Sequence, residues 1–202
     1  WVWHGADCLK PNYQHCLIAL SRGGSDADET REFNLNTKQW VKNGFYRPES
    51  KGAMSWKNSN EVYVYSDFGE GSMTSSGYPR TAKLWQRGTP LAQAKIIYEG
   101  SDDDMYIAAY HDDSKGFERD FVSRTIAFYN DELLLIKPDG KLVKIEAPNS
   151  AQKNVHNQYL LLELRDELNV NGNTYSAGSL LATDFEKYMR GERDFTVLFE
   201  PC

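Results

Sequence analysis

A short strand followed by a polar turn recurs four times along the 202 residues, at nearly constant spacing. The leucines that mark it are 49, 51 and 46 residues apart, at Leu35, Leu84, Leu135 and Leu181. A fixed spacing of about 40 to 50 residues is typical of stacked supersecondary units, including the blades of a β-propeller. The repeat therefore predicts an all-β fold, a β-propeller with about four four-stranded blades.

We expect one propeller region over residues 1–202, with blades at roughly 1–50, 51–101, 102–148 and 149–202. The strands predicted in the second unit are Ala53–Trp56, Glu61–Ser66, Thr81–Gln86 and Lys95–Tyr98. The third unit predicts Met105–Tyr110, Phe121–Tyr129, Leu133–Lys137 and Lys141–Glu146. In that unit, Pro138-Asp139-Gly140 is a hairpin signal, since Pro presets φ and Gly accepts a positive φ.

The fourth unit repeats the plan with one addition. Its predicted strands are Gln158–Glu163, Asn169–Tyr175, Ser179–Thr183 and Thr196–Phe199. Asp184–Arg190, which ends before Gly191, predicts a short helical turn. An ordinary β-sandwich also has turn signals at short intervals. The longer repeat favours the propeller over that alternative.

Composition and charge exclude several classes of partner. Apolar residues make up 40% of the chain, charged residues 26%, and the net charge is −6. Acidic residues are spread through the loops, so no basic face is available for a nucleic-acid backbone. No apolar stretch approaches the ~20 residues that span a bilayer, so we expect no membrane partner.

We expect a soluble protein of the cytoplasm or periplasm. Because the chain begins with Trp1 inside a predicted strand, we also expect it to be part of a longer polypeptide.

The three cysteines are Cys8, Cys16 and Cys202. Cys8 and Cys16 flank a turn at Lys10-Pro11-Asn12 and could face each other across a hairpin, but buried free thiols are the favoured interpretation. A zinc site at His15 and Cys16 is not predicted, since there is no C-x-x-C pair and no second spaced histidine. The sequence predicts no metal site and no cofactor.

A serine nucleophile in a hydrolase of this size needs a strand-to-helix elbow such as G-x-S-x-G. Gly24-Ser25 and Gly71-Ser72 have the wrong spacing. The four histidines lack an identifiable nucleophile, which favours structural or surface roles for His4, His15, His111 and His156. We predict no catalytic residue in this chain.

One connection is longer than a four-stranded meander needs. Residues 66–80, the 66–80 loop, join two predicted strands with about 14 residues, and long ordered loops are frequently functional. Its glycines permit sharp turns, Tyr78 could present a ring, and Arg80 could present a fork of donors. Packing on a neighbouring blade or domain is the equal alternative.

This loop also carries a family resemblance. The string Ser66-Asp67-Phe68-Gly69-Glu70-Gly71-Ser72-Met73-Thr74-Ser75-Ser76-Gly77-Tyr78-Pro79-Arg80 resembles the N-terminal propeller region of bacterial prolyl-oligopeptidase (S9) family serine peptidases. Further similar segments lie downstream, upstream and near the close of the chain: Arg87-Gly88-Thr89-Pro90-Leu91, Ser21-Arg22-Gly23-Gly24-Ser25 and Gly178-Ser179-Leu180-Leu181. The resemblance covers nearly the whole chain.

The resemblance implies a seven-bladed, unclosed propeller that caps an α/β-hydrolase domain and admits only small peptides, with cleavage typically after proline. Four units fall short of seven, and the hydrolase domain with its Ser, Asp and His is absent, so we expect a fragment that is not catalytic by itself. Its expected role is to gate substrate and to dock on the hydrolase domain of the same parent chain. Candidate contact residues are Asp67, Phe68, Tyr78 and Arg80.

Two other functions stay open on sequence grounds. A closed four-bladed propeller acting as a protein-binding module requires that the first and last strands share a blade. A propeller glycosidase requires carboxylates, such as Asp67, Glu70 and Asp120, to converge on one pocket about 5 to 9.5 Å apart.

Exposed strand edges at the two ends of the chain generate the first testable prediction. Unpaired backbone N–H and C=O groups on an edge strand are a template for pairing with another chain. We therefore expect the isolated chain to self-associate, with a mass in light scattering that rises with concentration. A strictly monomeric mass across the same range would contradict this expectation.

Overall fold

The structure is a computed structural model that describes all 202 residues, and it consists of antiparallel sheets connected in chain order. Sheet 1 contains β1 (Val2–Cys8), β2 (His15–Ser21), β3 (Asp28–Asn34), β4 (Gln39–Trp40) and β5 (Tyr46–Ser50). β4 and β5 both pair with β3, on successive parts of its outer edge. Sheet 2 contains β6 (Ala53–Asn58), β7 (Glu61–Tyr65), β8 (Thr81–Gln86) and β9 (Lys95–Glu99), with a 3₁₀ turn at Leu91–Gln93.

Sheets 3 and 4 follow the same meander. Sheet 3 contains β10 (Tyr106–Asp112), β11 (Arg119–Ala127), β12 (Asn130–Ile136) and β13 (Leu142–Lys144). Sheet 4 contains β14 (Gln152–His156), β15 (Tyr159–Glu163), β18 (Leu180–Asp184) and β19 (Thr196–Phe199). A separate hairpin of β16 (Leu168–Val170) and β17 (Asn173–Tyr175) is inserted after β15, and helix α1 spans Phe185–Met189. No helix is long and apolar enough to cross a lipid bilayer.

Three hydrophobic clusters lie between consecutive sheets, so the sheets are stacked face to face in chain order. Sheets 1 and 2 meet at Leu17, Phe45, Met54, Trp56, Val62, Val64 and Trp85. Sheets 2 and 3 meet at Tyr63, Ala82, Ile107, Ala109, Val122 and Leu134. Sheet 3 packs on sheet 4 and its helix through Phe121, Leu133, Ile145, Ala151, Leu160, Leu162, Leu164, Leu181, Phe185 and Tyr188.

The burial pattern of individual strands follows from this stacking. Successive side chains of a strand point to opposite faces, yet Val62, Tyr63 and Val64 in β7 are all buried. Val62 and Val64 pack toward sheet 1, whereas Tyr63 packs toward sheet 3. In β15 of the terminal sheet 4, only Leu160 and Leu162 are buried. The two middle sheets are thus covered on both faces.

Polar contacts also join consecutive sheets. Arg87 of sheet 2 donates two hydrogen bonds to the buried Glu32 carboxylate of sheet 1, at 2.8 and 3.1 Å. Trp56 donates its backbone N–H to Asp7 Oδ2 and its indole N–H to the Asp7 carbonyl, at 3.0 and 2.9 Å. Arg119 of sheet 3 reaches Glu186 beside sheet 4 at 3.3 Å. Charged partners on adjacent sheets therefore accompany the apolar contacts.

Three of the four marker leucines lie in the third strand of a sheet: Leu84 in β8, Leu135 in β12 and Leu181 in β18. Leu35 directly follows β3, the third strand of sheet 1. The predicted repeat therefore corresponds to a structural repeat. In sheet 4 the strand prediction was wrong in two places. Asn169–Tyr175 is not one strand, since it turns back at Asn171-Gly172, and the first strand Gln152–His156 was missed.

The favoured interpretation of Cys8 and Cys16 as free thiols was also wrong. The antiparallel register of β1 and β2 pairs Cys8 directly with Cys16, with their Cα atoms 4.0 Å apart. Directly opposite side chains on one face of an antiparallel pair lie close together, and the two cysteines form a disulfide. Cys202 is a free, exposed thiol.

The closed four-bladed alternative required β1 and β19 to share a sheet. β1 pairs with β2, and β19 pairs with β18 in a different sheet. β1 and β19 therefore do not share a sheet, which contradicts that alternative.

Neighbouring leucines in β15 provide a test of the stacking. Leu162→Ala removes a fully buried side chain from the core between sheets 3 and 4, and such a change costs about 2–5 kcal/mol. Leu161→Ala is the matched control, because Leu161 lies in the same strand, is only partly buried and points to the opposite face. In urea unfolding, Leu162→Ala should lower the free energy of unfolding clearly more than Leu161→Ala does. Equal losses would contradict the stacking.

Candidate functional site

Connections between strands divide the molecule into two faces. In each sheet the link from the second strand to the third emerges at one end, which we call the loop face: residues 22–27, 66–80, 128–129 and 164–179. Links from the first strand to the second emerge at the other end, the hairpin face: residues 9–14, 59–60, 113–118 and 157–158. The 66–80 loop, and with it every candidate contact residue, therefore lies on the loop face.

Asp67 shapes the start of the 66–80 loop. Its carboxylate accepts a hydrogen bond from the Gly69 N–H at 2.8 Å and one from the Ser72 hydroxyl at 3.3 Å. Its backbone N–H donates to Ser50 Oγ at 2.9 Å, which ties the loop to the end of sheet 1. A carboxylate that accepts from the backbone two residues on forms an Asx turn. Asp67 therefore stabilises the turn at the start of the loop.

Phe68 lies partly buried next to Asp67. Its ring packs against the hydrophobic cluster of sheets 1 and 2, and the Lys83 ammonium sits 4.1 Å from the ring centroid. A cation over an aromatic face is attracted by the ring quadrupole. Phe68 thus anchors the loop through an apolar side and still presents part of its surface to solvent.

Arg80 closes the far end of the loop from inside. Its Nε donates to the Gly71 carbonyl at 3.0 Å, and Nη1 donates to the Gly100 carbonyl at 3.0 Å. Nη2 also forms an ion pair with Glu99 at 2.9 Å, and the Arg80 backbone N–H donates to the Ser72 carbonyl. Most of the guanidinium donors are therefore satisfied within the domain.

Tyr78 connects the loop to the neighbouring sheets. Its hydroxyl donates to Asp26 Oδ2 at 3.2 Å in the 22–27 link of sheet 1. The Lys51 ammonium lies 4.3 Å from its ring centroid. The ring makes an edge contact with Tyr106 at the start of sheet 3, with centroids 5.9 Å apart. Tyr78 therefore spans three sheets on the loop face.

The four candidates do not form one cluster. Asp67 and Arg80 both bind the turn at residues 69–72, from opposite ends of the loop. Phe68 packs toward sheets 1 and 2, whereas Tyr78 reaches sheets 1 and 3. The sequence did not identify Asp26, Lys51 or Tyr106 as partners of Tyr78, because these contacts depend on how the sheets stack.

A buried polar layer lies beneath the loop. Arg47 is fully buried and donates to the Asp28 carboxylate, to Thr30 Oγ1 at 3.1 Å and to the Ser50 carbonyl at 3.1 Å. Burial raises the pKa of the Tyr106 hydroxyl. Ser50 connects this layer to the start of the loop, since its carbonyl accepts from Arg47 and its hydroxyl accepts from the Asp67 N–H.

On the hairpin face, the first strands of sheets 1, 2 and 3 end around a cleft of about 490 Å³. An ion pair between Lys10 and Asp113, 2.9 Å long, connects the hairpin of sheet 1 with that of sheet 3 across the cleft. The lining is mostly polar and includes Asp7, His15, Lys57 and His111. Lys10 and Asp113 are half-exposed, so this pair contributes little to stability.

Asp120 lies beside the cleft, at the contact between sheets 2 and 3. Its carboxylate accepts hydrogen bonds from Lys57, Tyr63 and His111. Burial by itself would raise the pKa of Asp120, but the hydrogen bonds from His111, Lys57 and Tyr63 outweigh it and lower that pKa to about 2. The same contact raises the pKa of His111.

Three histidines each bond to a buried carboxylate through Nδ1. His4 pairs with Asp28 at 2.9 Å, His15 pairs with Glu32 at 2.8 Å, and His111 pairs with Asp120. None of these rings hydrogen-bonds to a hydroxyl or thiol. The sequence left the carboxylate partners unidentified, because each pair depends on strand register or on sheet packing.

The carboxylates considered for glycoside hydrolysis do not converge. Asp67 and Glu70 lie in the 66–80 loop on the loop face, whereas Asp120 is near the start of β11, at the hairpin end of sheet 3. The Cys16 sulfur is bonded to Cys8 and His15 is paired with Glu32. Asp67, Glu70 and Asp120 therefore do not all share one pocket, as the glycosidase alternative required of such carboxylates.

β-Propellers are built of successive four-stranded antiparallel sheets, and the sheets of this chain, which follow one another along the sequence, are of that class. A family model described as the prolyl oligopeptidase N-terminal β-propeller domain matches residues 4–117. The chain belongs to this family.

Curated relatives agree with this assignment. An uncharacterized peptidase of Sinorhizobium fredii is 33% identical over 193 residues, which cover 92% of this chain and 27% of the relative. An uncharacterized peptidase of Rickettsia prowazekii is 29% identical, over 99% of this chain and 30% of the relative.

Solved structures confirm the predicted propeller fold. A post-proline cleaving enzyme from Rickettsia typhi superposes with a TM-score of 0.91 and 27% identity, over 100% of this chain and 32% of that one. Oligopeptidase B from Leishmania major has a TM-score of 0.66 at 10% identity, over 98% of this chain and 26% of that one, and shows the fold alone. The chain therefore spans between a quarter and a third of the length of these relatives.

Asp120 generates a prediction about acid stability. Because its pKa is lowered to about 2 in the folded state and is about 3.9 when unfolded, its charge stabilises the fold above about pH 4 by about 2 kcal/mol. This contribution is lost as the pH falls through 4 toward 2. Asp120→Asn should flatten the pH dependence of the unfolding free energy in that window.

The matched control is Glu70→Gln, which removes an exposed carboxylate that forms no ion pair in the structure. Urea unfolding followed between pH 2 and pH 6 should show the wild-type slope for this variant. An Asp120→Asn chain with the same slope as the wild type would contradict the role of the Asp120 hydrogen bonds.

Proposed function

We propose that this chain is the substrate-gating and docking propeller of a prolyl-oligopeptidase-like serine peptidase that cleaves short peptides. The observation that carries the proposal is the 66–80 loop, which extends from sheet 2 and contacts sheets 1 and 3 in a chain that belongs to the propeller family. In this proposal residues 1–202 form one propeller region, with an α/β-hydrolase domain of the same parent chain as its partner.

Contacts of the loop support a gate that opens at modest cost. Tyr78 holds Asp26 through one hydrogen bond, and Ser75 N–H donates to the Asp102 carbonyl at 2.8 Å. A single hydrogen bond contributes about 0.5–1.5 kcal/mol net. Breaking such contacts at Ser75 and Tyr78 lets the tip of the loop move while Phe68 and Arg80 keep its two ends on the sheets, and an element that admits peptides requires such a motion.

The candidate residues then divide into two roles. Asp67 and Arg80 keep the loop folded, since the polar groups of both side chains bind the turn at residues 69–72. Phe68 and Tyr78 supply the surface that a peptide or the hydrolase domain contacts. A ring beside an ammonium, as in the Tyr78 and Lys51 pair, offers both an apolar face and a charge to an extended peptide.

Catalysis is assigned to the partner domain. The histidine pairs that resemble part of a catalytic triad lack a hydroxyl within hydrogen-bond distance, and a serine peptidase needs nucleophile, base and orienting acid in one hydrogen-bonded series. In this proposal the propeller contributes selection by size and the hydrolase domain contributes the chemistry.

The proposal is tested in a polypeptide that joins this chain to its α/β-hydrolase domain. Tyr78→Ala and Arg80→Ala should loosen the loop and shift the ratio of kcat/KM values between a long unfolded polypeptide and a short proline-containing chromogenic peptide. The expected shift is at least about twofold in favour of the long substrate, since one lost hydrogen bond allows about two- to tenfold and Arg80 makes several.

Tyr78→Phe separates the two contacts of this residue, because it removes the bond to Asp26 and retains the ring. Tyr159→Phe is the control, since Tyr159 is exposed on the outer face of sheet 4, far from the loop in the topology. An unchanged ratio for both Tyr78→Ala and Arg80→Ala would overturn the loop's gating role. Cleavage of the short peptide by this chain alone would overturn the assignment of catalysis to the partner domain.

A further inference from the structure

The hairpin turn between β11 and β12 exposes two consecutive aromatic side chains. Phe128 is 81% exposed, more than any other large hydrophobic residue in the chain, and Tyr129 is 64% exposed. Removing aromatic surface from water is favourable. Two rings at a hairpin tip therefore contribute nothing to the core and form an apolar projection.

The residues of this turn are also not the ones that its backbone conformation favours. Tyr129 has a φ of 56°, a left-handed conformation in which Asn and Gly are the common residues of two-residue hairpin turns. The chain itself follows this preference in the hairpin of β16 and β17, where the turn is Asn171-Gly172. Phe128 and Tyr129 occupy a turn that Asn-Gly would suit better. This indicates that the two aromatic side chains serve a purpose other than forming the turn.

An arginine from the neighbouring sheet backs the projection. The Arg165 guanidinium lies 3.3 Å from the centroid of the Tyr129 ring, a cation–π geometry. Arg165 follows β15, so sheet 4 supports a turn of sheet 3. The ring is thereby oriented before any partner binds, which reduces the ordering cost of association.

The position of the turn indicates which partner the two rings contact. Residues 128–129 link the second and third strands of sheet 3, so they lie on the loop face together with the 66–80 loop. This chain covers only 32% of the post-proline cleaving enzyme that it matches over its whole length. Exposed aromatic and arginine residues are the types that dominate the energetics of protein interfaces.

We propose that Phe128, Tyr129 and Arg165 form a docking knob for the α/β-hydrolase domain of the same polypeptide. The inference rests on the proposed function and adds a second contact to it, separate from the 66–80 loop. The chemistry requires an apolar pocket for Phe128 on the partner, with a carboxylate at its rim for the free edge of Arg165.

The test replaces the knob with a turn that suits the backbone. The double variant Phe128→Asn, Tyr129→Gly removes both rings and provides the residues that a left-handed turn favours. In the isolated chain we expect a melting temperature no lower than that of Arg165→Ala, which loses the same cation–π contact. In the polypeptide joined to the hydrolase domain, we expect proteolytic nicking between the two domains to become about tenfold faster, because the docked state is less populated.

Tyr13→Gly is the matched control. Tyr13 is also a half-exposed tyrosine at positive φ, 50% exposed with a φ of 53°, but it lies in the 9–14 hairpin on the opposite face. Its replacement relieves the same backbone conformation and should leave the nicking rate unchanged. A nicking rate for the double variant within twofold of the wild type would overturn the proposal.

Two further outcomes also overturn it. A fall in the melting temperature of the isolated double variant beyond that of Arg165→Ala would mean that the rings stabilise the propeller itself. Conversion of a self-associating wild-type chain into a monomer by the double variant would mean that the knob binds a second copy. If Tyr78→Ala alters size selection while the double variant nicks at the wild-type rate, the gating proposal stands and only the docking knob fails.

Discussion

Val62, Tyr63 and Val64 are consecutive residues of β7, and all three are buried. A strand can bury successive side chains only when both faces of its sheet are covered, so β7 requires a sheet on each side. Sheets 1 and 3 satisfy that requirement, and sheet 4 does the same for the outer face of sheet 3, where Phe121 packs. The direction of stacking, the two faces of the molecule and the positions of the loops all depend on this double burial.

Much of the fold was predictable because it depends on local sequence patterns. The spacing of Leu35, Leu84, Leu135 and Leu181 corresponds to the third strands of four sheets, and Thr81–Gln86 and Thr196–Phe199 were bounded as the structure has them. The failures occurred where the pattern is weak. Gln152–His156 is a strand of mostly polar residues with little alternation of apolar ones, and the Asn171-Gly172 turn divides a segment that otherwise has strand composition.

The 66–80 loop was predictable as a long connection, but its contacts were not. The length of the 66–80 loop singled it out, whereas the inward orientation of Arg80 could not be anticipated, since its partners are the backbone carbonyls of Gly71 and Gly100. The disulfide of Cys8 and Cys16 depends on a one-residue choice of register between β1 and β2. Contacts that depend on register or on the packing of distant segments leave no signature in sequence spacing.

The polar contacts between sheets make each sheet particular to its neighbours. Glu32 is buried in sheet 1 and needs Arg87 of sheet 2, and Asp120 of sheet 3 needs Lys57 and Tyr63 of sheet 2. A buried carboxylate without its partner is strongly destabilising. Although repeats of one architecture invite exchange by recombination, a duplicated or transposed blade would bring unmatched charges into the new junction. The electrostatic contacts at each junction therefore restrict which blade can follow which.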